Sequence, residues 1–186
     1  MTKKILMATC LGGAVAFLWN FVSWEILPWH RMHGFYNNAE ISESLVRNSP
    51  THGIYMLPQR GEKGLDAEAL TKGPLVYAVI RPGSLQQPWS LTRHLIKSYI
   101  IQCLCALILA LTVWRMKASR FISRAAAGMV MGLFAAVSST LPFWNWFELP
   151  GSRVIVNILD PFICWTLTGL IIAAIVKPPG PRRIFT

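Results

Sequence analysis

Four long apolar stretches organise the chain, running roughly from Ile5 to Leu27, Tyr99 to Trp114, Ala125 to Phe147 and Val154 to Val176. About 20 helical residues, rising about 1.5 Å each, cross a hydrocarbon core about 30 Å thick. The pattern predicts transmembrane helices over 5–27, 98–116, 125–147 and 154–176, the second extending its apolar centre at both ends. The segment 177–186, opening Lys177-Pro-Pro-Gly-Pro-Arg-Arg, cannot stay helical and is expected to trail along the headgroups as a cytoplasmic tail. Behind the basic start Met1-Thr-Lys-Lys the apolar run continues through Trp24 with no small-x-small cleavage site, so the first helix reads as retained.

Between the first two stretches, Pro28 to Lys97 is a polar segment of about 70 residues. Asn37 or Asn38 can cap a short helix to about Arg47, with Ile41, Leu45 and Val46 at helical spacing and Asn48-Ser-Pro ending it. Gly53–Leu57 and Leu75–Ile80 read as strands bounded by Gly and Pro. Gly61 to Gly64 is expected as a loop, Asp66 to Thr71 as a helical turn and Arg81-Pro-Gly-Ser as a turn. Ser90 is placed to cap a helix running unbroken through Lys117, whose first turns (Arg93, His94, Lys97) would stand outside the bilayer. Two strands alone are marginal in water, so this unit is expected to lean on helix ends or on a partner. The expected fold is a membrane all-α bundle of four transmembrane helices, with a small α/β extracytoplasmic insertion (28–97) between helices 1 and 2.

Composition sharpens the class. The hydrophobic fraction of 53% with only 14% charged residues excludes a disordered chain, and 8 Trp and 9 Phe in a basic protein argue against a nucleic-acid binder. The net charge of +10 is a topology signal. Lys3, Lys4, Arg115, Lys117, Arg120, Arg124, Lys177, Arg182 and Arg183 share one face of the expected topology with no acid among them. The short loop from Glu148 to Arg153 on the other side carries one charge of each sign. The positive-inside rule then puts both termini in the cytoplasm, and Trp24, Trp29, Trp89, Trp144 and Trp146 fall at the outer boundary as an aromatic belt.

Asp160 is the most informative single residue. It lies six residues past Val154, about 9 Å into the fourth helix, a depth at which a carboxylate is costly and marks function by default. Pro161 follows it and Asn157 lies one turn before, while Asn20, Gln102, Ser138 and Ser139 sit at similar depth on the other helices. They compose an expected intramembrane polar layer. Its functional role would be proton or ion handling, and its commoner role is fixing helix register, with Asp160 protonated or paired to Arg153. Pro142 and Pro161 are expected to kink their helices.

A second constellation, Glu25, His30, His33 and His52, carries the ligand types of an N/O metal site, although interfacial Trp, His and Arg more often anchor headgroups. Gly12 and Gly13 on the first helix, and Gly128-x-x-x-Gly132 on the third, permit close helix packing, within the bundle in preference to between copies. Cys10, Cys103, Cys105 and Cys164 all lie in apolar stretches, so no disulfide scaffold is expected outside. There is no Walker loop, dinucleotide fingerprint, Gly-x-Ser-x-Gly or His-Glu-x-x-His motif. Ser90, His94 and Glu25 can be drawn as a triad, but no motif supports it. No enzyme activity and no cofactor are expected.

Ser23-Trp24, Leu27-Pro-Trp-His30, Gly53-Ile-Tyr-Met-Leu-Pro58 and Gly73-Pro74 resemble the pattern of a group of small uncharacterised bacterial inner-membrane proteins. In that group a Leu-Pro-Trp-His stretch follows the first helix and the external segment carries a Gly-Ile-Tyr-x-Leu-Pro strand. The resemblance covers roughly the first 80 residues and implies a topology and a bacterial origin; it implies no activity.

The expected protein is thus an inner-membrane accessory, scaffold or envelope-interaction protein. Its partners would be the lipid bilayer and another membrane protein or a second copy, with no nucleic acid. The alternatives are a small oligomeric proton-coupled transporter or channel using Asp160, and an extracytoplasmic metal-binding site at Glu25, His30, His33 and His52.

Overall fold

The computed structural model describes residues 2–59, 64, 66–85, 88–116 and 120–177. It is mostly helical with one small sheet. Among the described residues four helices are long and apolar enough to cross a membrane: Thr2–Ile26, Leu91–Arg115, Phe121–Phe147 and Gly151–Ile175. The expected loop at Gly61 to Gly64, apart from Gly64, lies outside the described residues, as do Lys117 and the tail beyond Lys177.

The first long helix changes form near its end. The α-helix α1 (Thr2–Phe21) passes into a π-helical turn, Val22–Ile26, closed by the Leu27 N–H donating to the Val22 carbonyl at 3.0 Å. Leu27 precedes a proline, and its backbone is extended (φ −78°, ψ 136°), as the clash with the proline ring requires. Pro28–His30 then makes one 3₁₀ turn.

Two compact units result, one of Met1–His30, Ser90–Trp144 and Leu149–Thr186, the other of Arg31–Trp89 with Asn145–Glu148. In the second, α2 (Asn38–Asn48) is capped by the Asn37 carboxamide, which accepts from the Glu40 N–H at 3.1 Å. β1 (Gly53–Leu57) pairs antiparallel with β2 (Val76–Ile80), with Ile54 opposite Val79 and Met56 opposite Tyr77. Between them α3 (Ala67–Lys72) is capped by the Asp66 carboxylate, accepting from the Glu68 and Ala69 N–H groups. Gly73 ends it at φ +65°, a left-handed conformation that a side chain would strain. Tyr77 meets Phe147 with ring centroids 4.5 Å apart.

In the first unit α4 (Leu91–Arg115) starts at the Ser90 cap, whose hydroxyl accepts from the Arg93 N–H at 3.4 Å. The second and third long helices, α4 and α5 (Phe121–Phe147), therefore begin ahead of their most apolar residues, as does α6 (Gly151–Ile175). Helical structure continues through Pro142 and Pro161 without a break. Because Pro161 has no N–H, the Asn157 carbonyl one turn earlier lacks its intrahelical donor.

Small residues set the packing. A Cβ on Gly13 would come 2.9 Å from Cys103 Cα, and one on Gly12 would meet Ile172 at 3.1 Å, so α1 lies close against α4 and α6. Between α5 and α6, a Cβ on Gly128 would come 2.7 Å from Gly169 Cα, and one on Gly132 would be 2.7 Å from Trp165 Cβ. Both helix-packing pairs read from the sequence therefore lie at contacts inside the chain. Arg124, read as a loop cation, is instead buried in the first turn of α5. Its Nε and Nη2 both donate at 3.2 Å to the Ala173 carbonyl, one of the last four of α6, which have no intrahelical partner.

The buried interior is rich in alanine (Ala8, Ala16, Ala106, Ala110, Ala173), whereas large apolar side chains face outward, Phe134 at 73% exposure and Ile155 at 60%. That distribution inverts the soluble pattern and suits a surface solvated by lipid tails.

Candidate functional site

The changes of winding at the end of α1 turn the chain back so that His30 is buried beside Ser23 and against α6. His30 Nε2 lies 3.1 Å from Asp160 Oδ2 and 3.0 Å from Ser23 Oγ. Its other nitrogen, Nδ1, lies 3.2 Å from Arg153 Nη1. A guanidinium can only donate, so Nδ1 must present its lone pair and the ring proton belongs on Nε2, where the carboxylate accepts it. This assignment leaves His30 neutral, between a cation seven residues before Asp160 on α6 and the carboxylate itself.

Tryptophans close the rest. Trp19 donates its indole N–H to Asp160 Oδ1 at 2.6 Å, so both carboxylate oxygens are occupied. Trp29 donates to the Ser23 carbonyl at 3.0 Å and to Ser23 Oγ at 3.1 Å. Trp24 stacks on the imidazole with centroids 4.0 Å apart and planes 2° from parallel, while Trp29 meets it edge-on at 5.9 Å. His30 and Asp160 are each only 8% exposed.

Ser, His and Asp together invite comparison with a hydrolase triad, which fails on geometry. A triad uses one imidazole nitrogen for the serine and the other for the carboxylate. Here Ser23 and Asp160 share Nε2, and the opposite nitrogen faces a cation. The arrangement joins the turn after α1 to α6 and lacks the geometry of a triad.

The expected polar layer is not gathered into one cluster. Asn20 donates to the Ala16 carbonyl at 2.8 Å and reaches Cys164 Sγ at 4.0 Å, one turn from Asp160. Ser138 and Ser139 are exposed and donate to the Ala135 carbonyl of their own helix at 3.2 and 2.7 Å, since a helical serine reaches back to its own turn readily. Asn157 is half-buried one turn before Asp160. Gln102 faces Asn20 across a groove between α4 and α1.

Nor is the expected metal set assembled. Among the described residues no three of His, Cys, Asp and Glu are grouped to hold an ion. His30 is committed to Asp160, Arg153 and Ser23, Glu25 is exposed on the π turn, and His33 and His52 are exposed in the other compact unit. Of the residues once drawn as a triad, His94 places its Nδ1 2.8 Å from the Ser90 carbonyl, a contact local to the start of α4.

Comparison with protein-family models, with curated proteins and with solved structures found no match. The site therefore stands on its own geometry. Sequence reasoning offered Arg153 as a direct partner of Asp160 and put His30 in a metal set; it missed Ser23, Trp19 and the placement of His30 between the two charges. The available signal was Leu27-Pro28, which forces an extended residue directly after the first long apolar helix, where the chain turns and brings His30 back toward it.

Proposed function

We propose that the chain is a multi-pass protein of a bacterial inner membrane, with both termini cytoplasmic and its α/β unit outside. In this reading it works as an accessory or scaffold protein whose α/β unit meets a partner in the envelope. Four long apolar helices support the membrane assignment, and the grouping of Lys and Arg on one side of the expected topology supports the orientation. The observation that carries the functional part is the engagement of both Asp160 oxygens. Trp19 and His30 take both its oxygens, and Arg153 takes the far nitrogen of that histidine. A carboxylate that relays protons must exchange partners along a path; one held on one oxygen by a buried imidazole and on the other by a half-buried indole reads as a helix tie.

The α/β unit offers the recognition surface. Its sheet has two strands, so among the described residues both outer edges lack a strand partner. Ile54 and Val79, directly opposed in register, are 64% and 67% exposed, an apolar cross-strand pair available to an added strand or a partner face.

Affinity capture of the tagged full chain in mild detergent tests this. The expected result is a reproducible stoichiometric partner that is lost when Ile54→Glu and Val79→Lys are introduced together. Recovery of the chain alone, with proton flux in proteoliposomes that Asp160→Asn abolishes, would instead establish the transporter.

A further inference from the structure

α1 and α4 leave a groove of about 270 Å³ between them toward the His30 end of α1. Its walls are apolar, formed by Phe17, Phe21 and Leu95. Its polar groups are all neutral or negative: the Glu25 carboxylate, the Ser98 hydroxyl, and the Asn20 and Gln102 carboxamides. Asn20 spends its N–H on Ala16 and Cys164, so the carbonyl oxygen is the end left for a ligand. The groove extends along α1 from Phe17 to Glu25, about 12 Å at the usual rise. That span reaches from the headgroup region into the hydrocarbon.

We propose that this groove binds a phospholipid with a primary ammonium headgroup, the ammonium on Glu25 and the glycerol region beside Ser98 and Gln102. The inference rests on the membrane reading above. Charge complementarity selects the headgroup. Among the described residues no cation lines the groove, so a headgroup with a net negative charge finds no counter-charge there. A quaternary ammonium carries charge but no N–H for the carboxylate and carbonyl acceptors, whereas a primary ammonium brings three donors. Gln102 sits 11 residues into α4, at a depth where an unanswered carboxamide in hydrocarbon is costly, and a lipid's ester and phosphate oxygens answer it. The apolar walls below commit the site to a lipid over a free amine.

Native mass spectrometry of the full chain, offered equal dioleoyl phosphatidylethanolamine, phosphatidylcholine and phosphatidylglycerol, reads the preference directly. The ethanolamine lipid is expected to be retained about tenfold over the choline lipid, the scale of one charge-assisted hydrogen bond. Glu25→Gln should bring the two to parity, Glu25→Asp should keep most of the preference, and Ser98→Trp should block retention by filling the groove. Equal retention of all three lipids, a preference for phosphatidylglycerol, or a preference untouched by both Glu25→Gln and Ser98→Trp overturns the proposal. Displacement of the lipid by millimolar ethanolamine overturns it in favour of a soluble amine. Alkaline extraction of cell membranes reads the underlying membrane assignment separately. Release of the chain into the supernatant overturns that assignment, whereas a chain that stays with the membrane but lacks the lipid preference overturns the groove alone.

Discussion

Arg153 and Asp160, seven residues apart on α6, hold opposite nitrogens of one imidazole, that of His30, at 3.2 and 3.1 Å. The 3₁₀ turn that follows the first long helix is thereby clasped to the first three turns of the last. The cation and the anion lie on one face of one helix, and the neutral ring between them carries the connection to α1.

This geometry dictates a tautomer. In the native protein His30 should carry its proton on Nε2 alone, because Nδ1 faces a donor-only group. Arg153→Met removes that constraint, so imidazole ¹⁵N shifts should move from a single Nε2–H form to a mixture of tautomers. A wild-type spectrum of the Nδ1–H form would contradict the assignment.

Substitutions in the clasp should differ in severity according to what they leave behind. His30→Ala removes one of the two donors that hold a buried carboxylate and should cost about 1.5–3 kcal/mol, the usual range for a hydrogen bond to a charged group. Asp160→Asn keeps an acceptor for Trp19 and should cost about 1–2 kcal/mol. Thermal melting of the detergent-solubilised variants gives the order. Equal melting of the two, both near wild type, would mean the cluster holds nothing together.

The α5–α6 contact is a matter of space. Gly169 has Ala125 and Gly128 backbone atoms at 2.8 and 3.0 Å from where a Cβ would sit, whereas Gly83 has nothing within 4 Å. Gly169→Val should therefore destabilise the bundle by about 1–3 kcal/mol, the range for overpacking, and Gly83→Ala should stay within about 0.5 kcal/mol. Comparing their melting temperatures separates a packing constraint from a general intolerance of glycine replacement.

Topology can be read with cysteines. In a variant lacking Cys10, Cys103, Cys105 and Cys164, Ser44→Cys on the exposed face of α2 should label with an impermeant maleimide on intact spheroplasts. Lys3→Cys should label only after lysis. Labelling of both from the same side would refute the orientation inferred from charge.

How far the sequence spoke depended on range. Apolar runs revealed the long helices, and Asn37 or Asn38, the turn from Asp66 and the cap at Ser90 marked three helix starts, because a cap is a local signal between residues two or three apart. The facing strands were visible in their β-branched and aromatic runs. Gly128 and Gly132 announced a close approach but could not name Gly169 as its other side. The clasp was hidden because His30 and Asp160 are 130 residues apart and meet only through a π turn and a 3₁₀ turn that no hydropathy pattern encodes. Arg124 was misleading for the same reason: it reads as a loop cation until the end of α6 arrives to occupy it.

The most direct test of the account is a double-mutant cycle on His30 and Asp160. Stability would be measured for the wild type, His30→Ala, Asp160→Ala and the double variant in one detergent. Because each single variant strands the other's buried group, the double variant should be more stable than the sum of single losses implies, by at least about 1 kcal/mol. Losses that add to within about 0.5 kcal/mol would show that the two residues are neighbours without being partners, and the clasp would be gone.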